Sequence, residues 1–486
     1  MSSGLLRESA VFSVSRYALL GLSFVRNFVV ARALDPEQYG YWVIVMLVLT
    51  YGDQIHLGLR HAGDKEIPYY RGQEQPQEAR QVADTLYAGI LLISVAALII
   101  LGSITVLAPG GERTVQGVIV AAGVIVVVEQ VNRYYLMIMR ATKQFILSSK
   151  VEVAVEAART ALVCVLVYFF SLTGAITGFL AAAVIMTVFF VLRFRTQFVP
   201  RFDWARLQKL LKLGISLFGV SLLYVLLINA DRLFGAAVLS KVELGVYGIA
   251  ALAAQLPLNF TQGISSVVYP TLSEQFGRSD SLEHVFPVFS NVLRSLAFAV
   301  PLIVVTTYFG ASILVEWFLP AYRQSLEVLV LLLPGVFLLS FVPLLSGVFT
   351  AVNRARQFLL LEIVAVVCAL VLFPVLKSLL EGPRGIGVAM SSSMVIYAGL
   401  ALISTLYLFS VDSRRVLKEL AATCLPSIYC LFLVEGVLQL GGPESNLTRI
   451  LMQYGLFLLG SIPLVIVAHR VLDLRKVWRL LRASNA

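Results

Sequence analysis

Apolar residues in this chain collect into runs of about 20 with short polar stretches between them, long enough at 1.5 Å per residue to cross a hydrocarbon core of about 30 Å. Residues 86–107, 115–139 and 328–352 are clear cases. The pattern predicts about fourteen spanning helices, at 10–33, 40–60, 84–107, 115–139, 146–170, 172–192, 213–235, 244–268, 288–310, 326–351, 357–377, 385–409, 419–440 and 449–469. Only Ser171-Leu172-Thr173-Gly174 separates the fifth span from the sixth. The first run is too long for a cleavable signal and holds Arg16 and Arg26, so it reads as a span.

Composition strengthens this picture. Charged residues make up 14% of the 486, against about 25% in soluble domains, so the chain reads as an all-α integral membrane protein. Cys164, Cys368, Cys424 and Cys430 all fall in apolar runs and read as small core residues, not disulfides or metal ligands. The four histidines lack metal-binding spacing; no cofactor and no metal is expected. A net charge of +10 raises nucleic acid as a partner, but its distribution argues otherwise. With the N-terminus cytoplasmic, the inward segments collect most of the 38 lysines and arginines. The positive-inside rule then puts both termini in the cytoplasm and favours an even number of spans.

The chain also reads as duplicated. Residues 31–40, after the first span, match 236–245, after the seventh, at an offset of 205. Lys143-Gln144-Phe145 matches Arg356-Gln357-Phe358 at 213, and Gly174-Ala175-Ile176 matches Gly385-Ile386-Gly387 at 211. Six spans separate the copies, so both lobes share one membrane orientation. They are expected to be related by an axis along the membrane normal, with cargo near their interface. The expected organisation is a six-helix lobe over 1–195, a basic amphipathic cytoplasmic linker over 196–212, a second six-helix lobe over 213–410, and two further helices with a basic tail over 411–486. Trp204, Leu207, Leu210 and Leu211 suit the headgroup level of a membrane, where the linker arginines meet anionic lipid.

Several stretches resemble a known family. "VARALDPEQYGYWVIV" (30–45), "NADRLFGAAVLSKVELGVYGIA" (229–250), "VVYPTLSEQF" (267–276), "WFLPAYRQSLEVLVLLLPG" (317–335) and "GVFTAVNRARQF" (347–358) resemble polysaccharide-export flippases of the multidrug/oligosaccharidyl-lipid/polysaccharide superfamily. The resemblance covers roughly residues 10–410. It implies two six-helix lobes in a V shape, like that of the multidrug exporters of the superfamily, often with two extra helices. It also implies movement of undecaprenyl-pyrophosphate-linked oligosaccharides from the cytoplasmic to the periplasmic leaflet of a bacterial inner membrane, for O-antigen, exopolysaccharide or capsule assembly. The arginine- and glycine-rich first span of the lipid II flippase branch is absent.

Embedded charges carry the candidate chemistry, because an ionisable side chain at membrane depth usually faces a bundle interior or a wet cavity. A sugar diphosphate needs fixed cations, and arginine grips phosphate bidentately. The candidates are Arg16 and Arg26 on span one, Arg60 at the inner end of span two, Arg133 on span four, Arg159 on span five and Arg294 in the second lobe. Lys150, Arg232 and Arg294 lie near span ends, where pairing with an acid or snorkelling to a headgroup is the favoured reading.

Acids accompany the cations at helical spacing: Asp53, His56 and Arg60; Glu129 and Arg133; Glu152, Glu156 and Arg159. Each set falls on one face of its predicted helix. Intrahelical pairing is one reading, and a titratable ion-coupling site at Glu129, Glu152 or Glu156 is the other. In the repeat alignment Arg26 stands opposite Asp231, so Asp231 either pairs with a first-lobe arginine at a periplasmic gate or makes a local contact with Arg232.

The leading reading is therefore an alternating-access flippase whose partners are a lipid-linked oligosaccharide, membrane lipid, and a glycan polymerase and export machinery. A multidrug cation antiporter of the same fold is the alternative, but its site should be dominated by acids and aromatics, and here the cations at least equal the acids. An enzyme needs a sizeable outward loop, and the longest, 310–325, offers only Glu316, Tyr322 and Arg323. The GxxxxGK[ST] phosphate loop is absent.

Overall fold

The computed structural model describes residues 3–107, 112–194, 202–279, 281–409, 413–439 and 447–471. Within these the chain is helical with short turns between, as lipid demands of a backbone that must satisfy its own hydrogen bonds. The helices are α1 (Ser3–Ala33), α2 (Pro36–Gly52), α3 (Leu59–Gly72), α4 (Pro76–Leu107), α5 (Arg113–Ala141), α6 (Phe145–Phe194), α7 (Trp204–Val238) and α8 (Lys241–Ser279). They continue with α9 (Leu282–Phe318), α10 (Ser325–Leu339), α11 (Val342–Ala351), α12 (Ala355–Leu379), α13 (Gly382–Phe409), α14 (Ser413–Gln439) and α15 (Leu447–Val471). Part of the predicted linker (196–201) and the basic tail (472–486) lie outside the described residues.

Every predicted span carries a helix. Eleven helical stretches, counting α6 once, are long and apolar enough to cross a membrane. The remainder of the expected set is the second half of α6, the 17-residue α2, and α7. Large apolar side chains on the outer faces, such as Leu360, Val367, Leu370 and Val371 of α12, are more than half exposed, and this is the surface that lipid covers.

The fifth and sixth spans are one hairpin within α6. The backbone reverses at Ser171 (φ 49°, ψ −135°), and the second half packs back on the first so closely that a Cβ on Gly174 would stand 1.9 Å from the Leu166 carbonyl oxygen. Such contact matters in lipid, where helices associate by packing and hydrogen bonding rather than by escape from water. A non-glycine residue in that backbone region costs about 1–3 kcal/mol. Ser171→Gly is accordingly expected to raise stability by about 1 kcal/mol, read as a higher melting temperature of the detergent-solubilised protein. An unchanged or lower value contradicts the assignment of strain.

The internal repeat is visible in backbone geometry. Lys143 (φ 62°) and Asn353 (φ 59°) are both left-handed. In each turn the same two amides close back on the helix before it: Lys143 N–H to Arg140 O and Gln144 N–H to Met139 O, then Asn353 N–H to Thr350 O and Arg354 N–H to Phe349 O. The structural offset here is 210, which corrects the 213 read from the Gln-Phe pairs. The turn fixes the register because its left-handed residue must follow the last helical carbonyls.

The chain forms two compact units, one of residues 2–236 with 240–245, the other of 237–239 with 246 onward. The first has a core around Leu59, Leu86, Tyr134, Met137, Phe190 and Leu207, all buried. Polar pins cross it: Tyr134 donates to Ala83 O (3.0 Å), Asn132 to Ala183 O (3.0 Å), and Thr187 to the Asn132 Oδ1 (2.9 Å). Each such bond in a membrane interior contributes about 0.6 kcal/mol on average. The second unit joins α9, α14 and α15 around Val305, Phe309, Cys430 and Phe457, and pins α10 to α13 by Gly335 N–H donating to Ser391 Oγ (3.0 Å).

Pro343 stands in the first turn of α11, where its missing N–H is harmless. The break in the tenth span is thus at Ser340–Phe341, between α10 and α11. Pro334 lies inside α10.

Candidate functional site

The second span stops short of its expected length. Gly52 ends α2, residues 53–58 form turns, and α3 starts at Leu59 as a separate helix. Leu57 (φ 47°) and Gly58 (φ 84°) are left-handed. Asp53, His56 and Arg60 therefore do not share one helix face, which corrects the periodicity reading. A broken helix in a membrane bundle frees backbone groups that must find partners nearby. Gln130 on α5 supplies one, its Nε2 donating to the Gly52 carbonyl at 2.8 Å. Arg60 supplies another, donating to the Asp53 carbonyl at 2.5 Å and to its Oδ1 at 3.0 Å.

Around this break the chain gathers most of the predicted site. Arg26 of α1 pairs with Glu156 of α6. Arg159, one turn further along α6, donates to the other Glu156 oxygen at 2.7 Å and to Glu129 of α5 at 2.5 Å. Arg133 of α5 approaches Asp53 at 3.5 Å. Arg26, Glu156 and Arg159 are each at most 8% exposed, while the Arg133 side chain is 46% exposed. Four arginines thus face three carboxylates, leaving one positive charge in excess when all are ionised.

The pairing scheme differs from the one read along single helices. Glu129 bonds Arg159, not Arg133; Glu152 bonds Arg140 of α5 at 3.0 Å. Of the predicted sets, Glu156 and Arg159 pair along one helix, and Asp53 and Arg60 pair across the break after α2. The cause is geometric: α5 and α6 pack face to face, so a partner across the interface is nearer and better desolvated than one four residues along. These arginines are not bare cations, because each buried one is held by a carboxylate.

A hollow of about 60 Å³ adjoins the cluster, lined by Asp53, Glu129, Gln130, Arg133, Arg159 and Phe179 among others. It is far smaller than the 300–1,000 Å³ of typical ligand pockets. Two donors stand on it beside the Asp53 and Glu129 carboxylates: Arg133 leans on its edge half-exposed, and among the described residues the buried Nε–H of Arg159 has no hydrogen-bond partner. Phe179 was missed in the sequence. The guanidinium carbons of Arg159 and Arg26 sit 4.5 and 5.4 Å from its ring centre, a cation–π arrangement. No sequence signal marks this phenylalanine among its 28 companions.

Three candidates lie elsewhere. Arg16 is exposed on α1. Arg294 of α9 belongs to the second unit, where Glu419 of α14 holds it at 2.5 and 3.2 Å; it ties an appended helix to the bundle, as the pairing reading expected. Asp231 is buried and accepts from the Arg232 backbone N–H at 2.7 Å, with the Arg232 side chain at 3.6 Å. That is the local contact, not a bond to Arg26. No group of three or more metal-ligating side chains occurs among the described residues.

Solved structures share this architecture. "Lipid II flippase MurJ, inward closed conformation" matches with a TM-score of 0.72 at 13% identity, covering 95% of this chain and 99% of that one. An inward-facing multidrug resistance MATE family transporter of the MOP superfamily matches at 0.60 and 16%, covering 84% and 98%. A MOP superfamily transporter from Pyrococcus furiosus matches at 0.56 and 15%, covering 85% and 95%. At these identities the likeness is one of fold. No curated protein matches the sequence. The model of one protein family does match, described as polysaccharide biosynthesis protein and aligned to residues 29–322. With more than half its length covered, this multi-pass, MOP-fold chain belongs to the polysaccharide biosynthesis protein family.

Proposed function

We propose that the chain is a flippase that carries a polyprenyl-pyrophosphate-linked oligosaccharide from the cytoplasmic to the periplasmic leaflet of a bacterial inner membrane. Both termini are cytoplasmic, and the product feeds the polymerase and export machinery of a surface polysaccharide. The observation that carries this reading is the buried ionic cluster with one more arginine than carboxylate, in a chain of a polysaccharide biosynthesis family. A pyrophosphate is multiply anionic and is gripped by charge-assisted hydrogen bonds.

Asp53, Glu129 and Glu156 occupy the arginines between turnovers, which keeps the guanidinium groups ordered and neutralised in a dry bundle. An arriving diphosphate takes Arg133 and the unused Arg159 donor first, then competes with the carboxylates. Space for the glycan arises when the helices part, with the lipid tail remaining in the bilayer. An inside-negative potential favours outward movement of the anion by about 2.3 kcal/mol per charge per 100 mV.

The organic-cation antiporter reading rests on the acids and on Phe179 in the same hollow. Against it, the Phe179 ring is already engaged by Arg26 and Arg159. The purified protein in nanodiscs decides between them. It is expected to bind a polyprenyl-pyrophosphate glycan, and Arg133→Ala is expected to weaken that binding about tenfold, or about 1.4 kcal/mol, with an unchanged melting temperature. Binding of an organic cation and not of the glycan-lipid favours the antiporter. In cells, deleting the gene is expected to accumulate a lipid-linked glycan on the inner leaflet.

A further inference from the structure

The second unit contains a buried acid that the ionic cluster does not use. Glu362 lies in the third turn of α12 and is 3% exposed. Among the described residues its Oε2 has no hydrogen-bond partner, and its Oε1 meets only the Tyr397 hydroxyl of α13, at a long 3.4 Å. The neighbouring ring of Phe358, itself packed against Phe349, meets the Tyr397 ring edge to face.

The internal repeat shows what is missing. At the offset of 210 set by the Lys143 and Asn353 turns, Glu362 is the counterpart of Glu152, and Thr350 is the counterpart of Arg140. In the first repeat Arg140 neutralises Glu152 at 3.0 Å. In the second the arginine is a threonine, whose hydroxyl turns back onto the Ser346 carbonyl at 2.9 Å. The carboxyl has been kept and its cation has not.

Among the described residues no other charged group takes its place. From α13 the facing titratable group is Tyr397; α11, the other helix packed on α12, holds no titratable side chain. Arg354 and Arg356 sit exposed at the start of α12, two turns away. A lone ionised carboxylate in such surroundings is strongly disfavoured and takes up a proton instead. A protonated acid also needs less: its O–H and carbonyl are served by one partner and whatever water reaches it.

We propose that Glu362, with Tyr397, forms a proton-binding site in the second unit, occupied while the α12–α13 interface is dry and emptied when water reaches it during transport. The exchange leg of this inference rests on the transporter reading above; the proton-binding leg does not. The chemistry is a single proton transfer between the Glu362 carboxyl and water, with no other bond made or broken.

Infrared spectroscopy of the purified full-length protein in lipid tests it directly. Wild type at pH 7 is expected to show the carbonyl band of a neutral carboxylic acid that Glu362→Gln removes. Thr350→Arg, which restores the missing cation, is expected to abolish the same band by ionising the acid. If Glu362→Gln removes no neutral-acid band, the proton site is overturned, whatever the protein transports. In cells, Glu362→Gln is expected to flatten the dependence of glycan-lipid export on external pH while the protein stays folded and inserted. An unaltered pH dependence overturns the exchange role. A neutral-acid band from Glu362 in a protein whose gene deletion leaves every lipid-linked glycan undisturbed would sustain the proton site and refute the flippase reading instead.

Discussion

Replacing Arg159 by alanine is expected to destabilise the protein by about 3–5 kcal/mol and to abolish export. Arg159 is the hub of the cluster: it bonds Glu156 and Glu129 and lies over Phe179. Its removal strands Glu129 without its cation and leaves Glu156 to Arg26 alone. The cost of breaking a buried pair comes chiefly from the abandoned charge, so neutralising that charge should recover stability. Glu129→Gln combined with Arg159→Gln is therefore expected to regain most of the melting temperature and none of the export. Arg159→Lys is expected to recover less than half of the activity, since one ammonium cannot span two carboxylates in a fixed fork. Full export from the double variant, measured as surface polysaccharide per inserted protein, shows that the cluster is only structural.

The second large effect is expected at Gly58. Its φ of 84° lies in the left-handed region, and a Cβ there would stand 2.2 Å from the Gly214 carbonyl oxygen of α7. The approach is mutual, because a Cβ on Gly214 would stand 2.5 Å from the Gly58 carbonyl oxygen. Gly58→Ala combines the left-handed penalty of about 1–2 kcal/mol with an overpacking cost of about 1–3 kcal/mol. Gly214→Ala carries only the second. The expected order of thermal stability is wild type, then Gly214→Ala, then Gly58→Ala, read by melting in detergent. Equal stability of the two variants removes the backbone contribution. Since residues 53–58 also hold Asp53 in place, Gly58→Ala is expected to weaken glycan-lipid binding among the molecules that remain folded.

Spans, repeat and cations were legible along the chain because each is a local property. An apolar run of sufficient length has few options in lipid but a helix. The Ser171 hairpin was marked by Ser171, Thr173 and Gly174 between two such runs. Partners were not legible, and the reason lies in how helices pack. Glu129 and Arg133 are correctly spaced for a bond along α5, yet Glu129 bonds Arg159 across to α6 and Arg133 turns to Asp53. Spacing limits which residues can meet on one helix, but a facing helix presents competitors at equal distance and lower dielectric. Phe179 was invisible for the same reason: an aromatic in an apolar span becomes informative only when guanidinium groups are found over its ring.

The break after α2 shows the same division. At the offset of 205 the turn residues 53–58 correspond to 258–263, and Gly58 to Gly263, yet the second copy runs unbroken through α8. A glycine permits the left-handed turn in both places. In the first repeat Arg60 binds the Asp53 carbonyl, Gln130 shares the Gly52 carbonyl with the Ile55 N–H, and the Gly58 backbone rests on Gly214. The sequence by itself determined that the chain is a multi-pass helical protein with arginines inside or beside its apolar runs, and pointed to a duplication, because composition and periodicity act within single segments. Only the tertiary structure decided which carboxylate each arginine holds, where a helix opens, and that Glu362 has lost its cation, because those outcomes depend on what a neighbouring helix offers within about 4 Å.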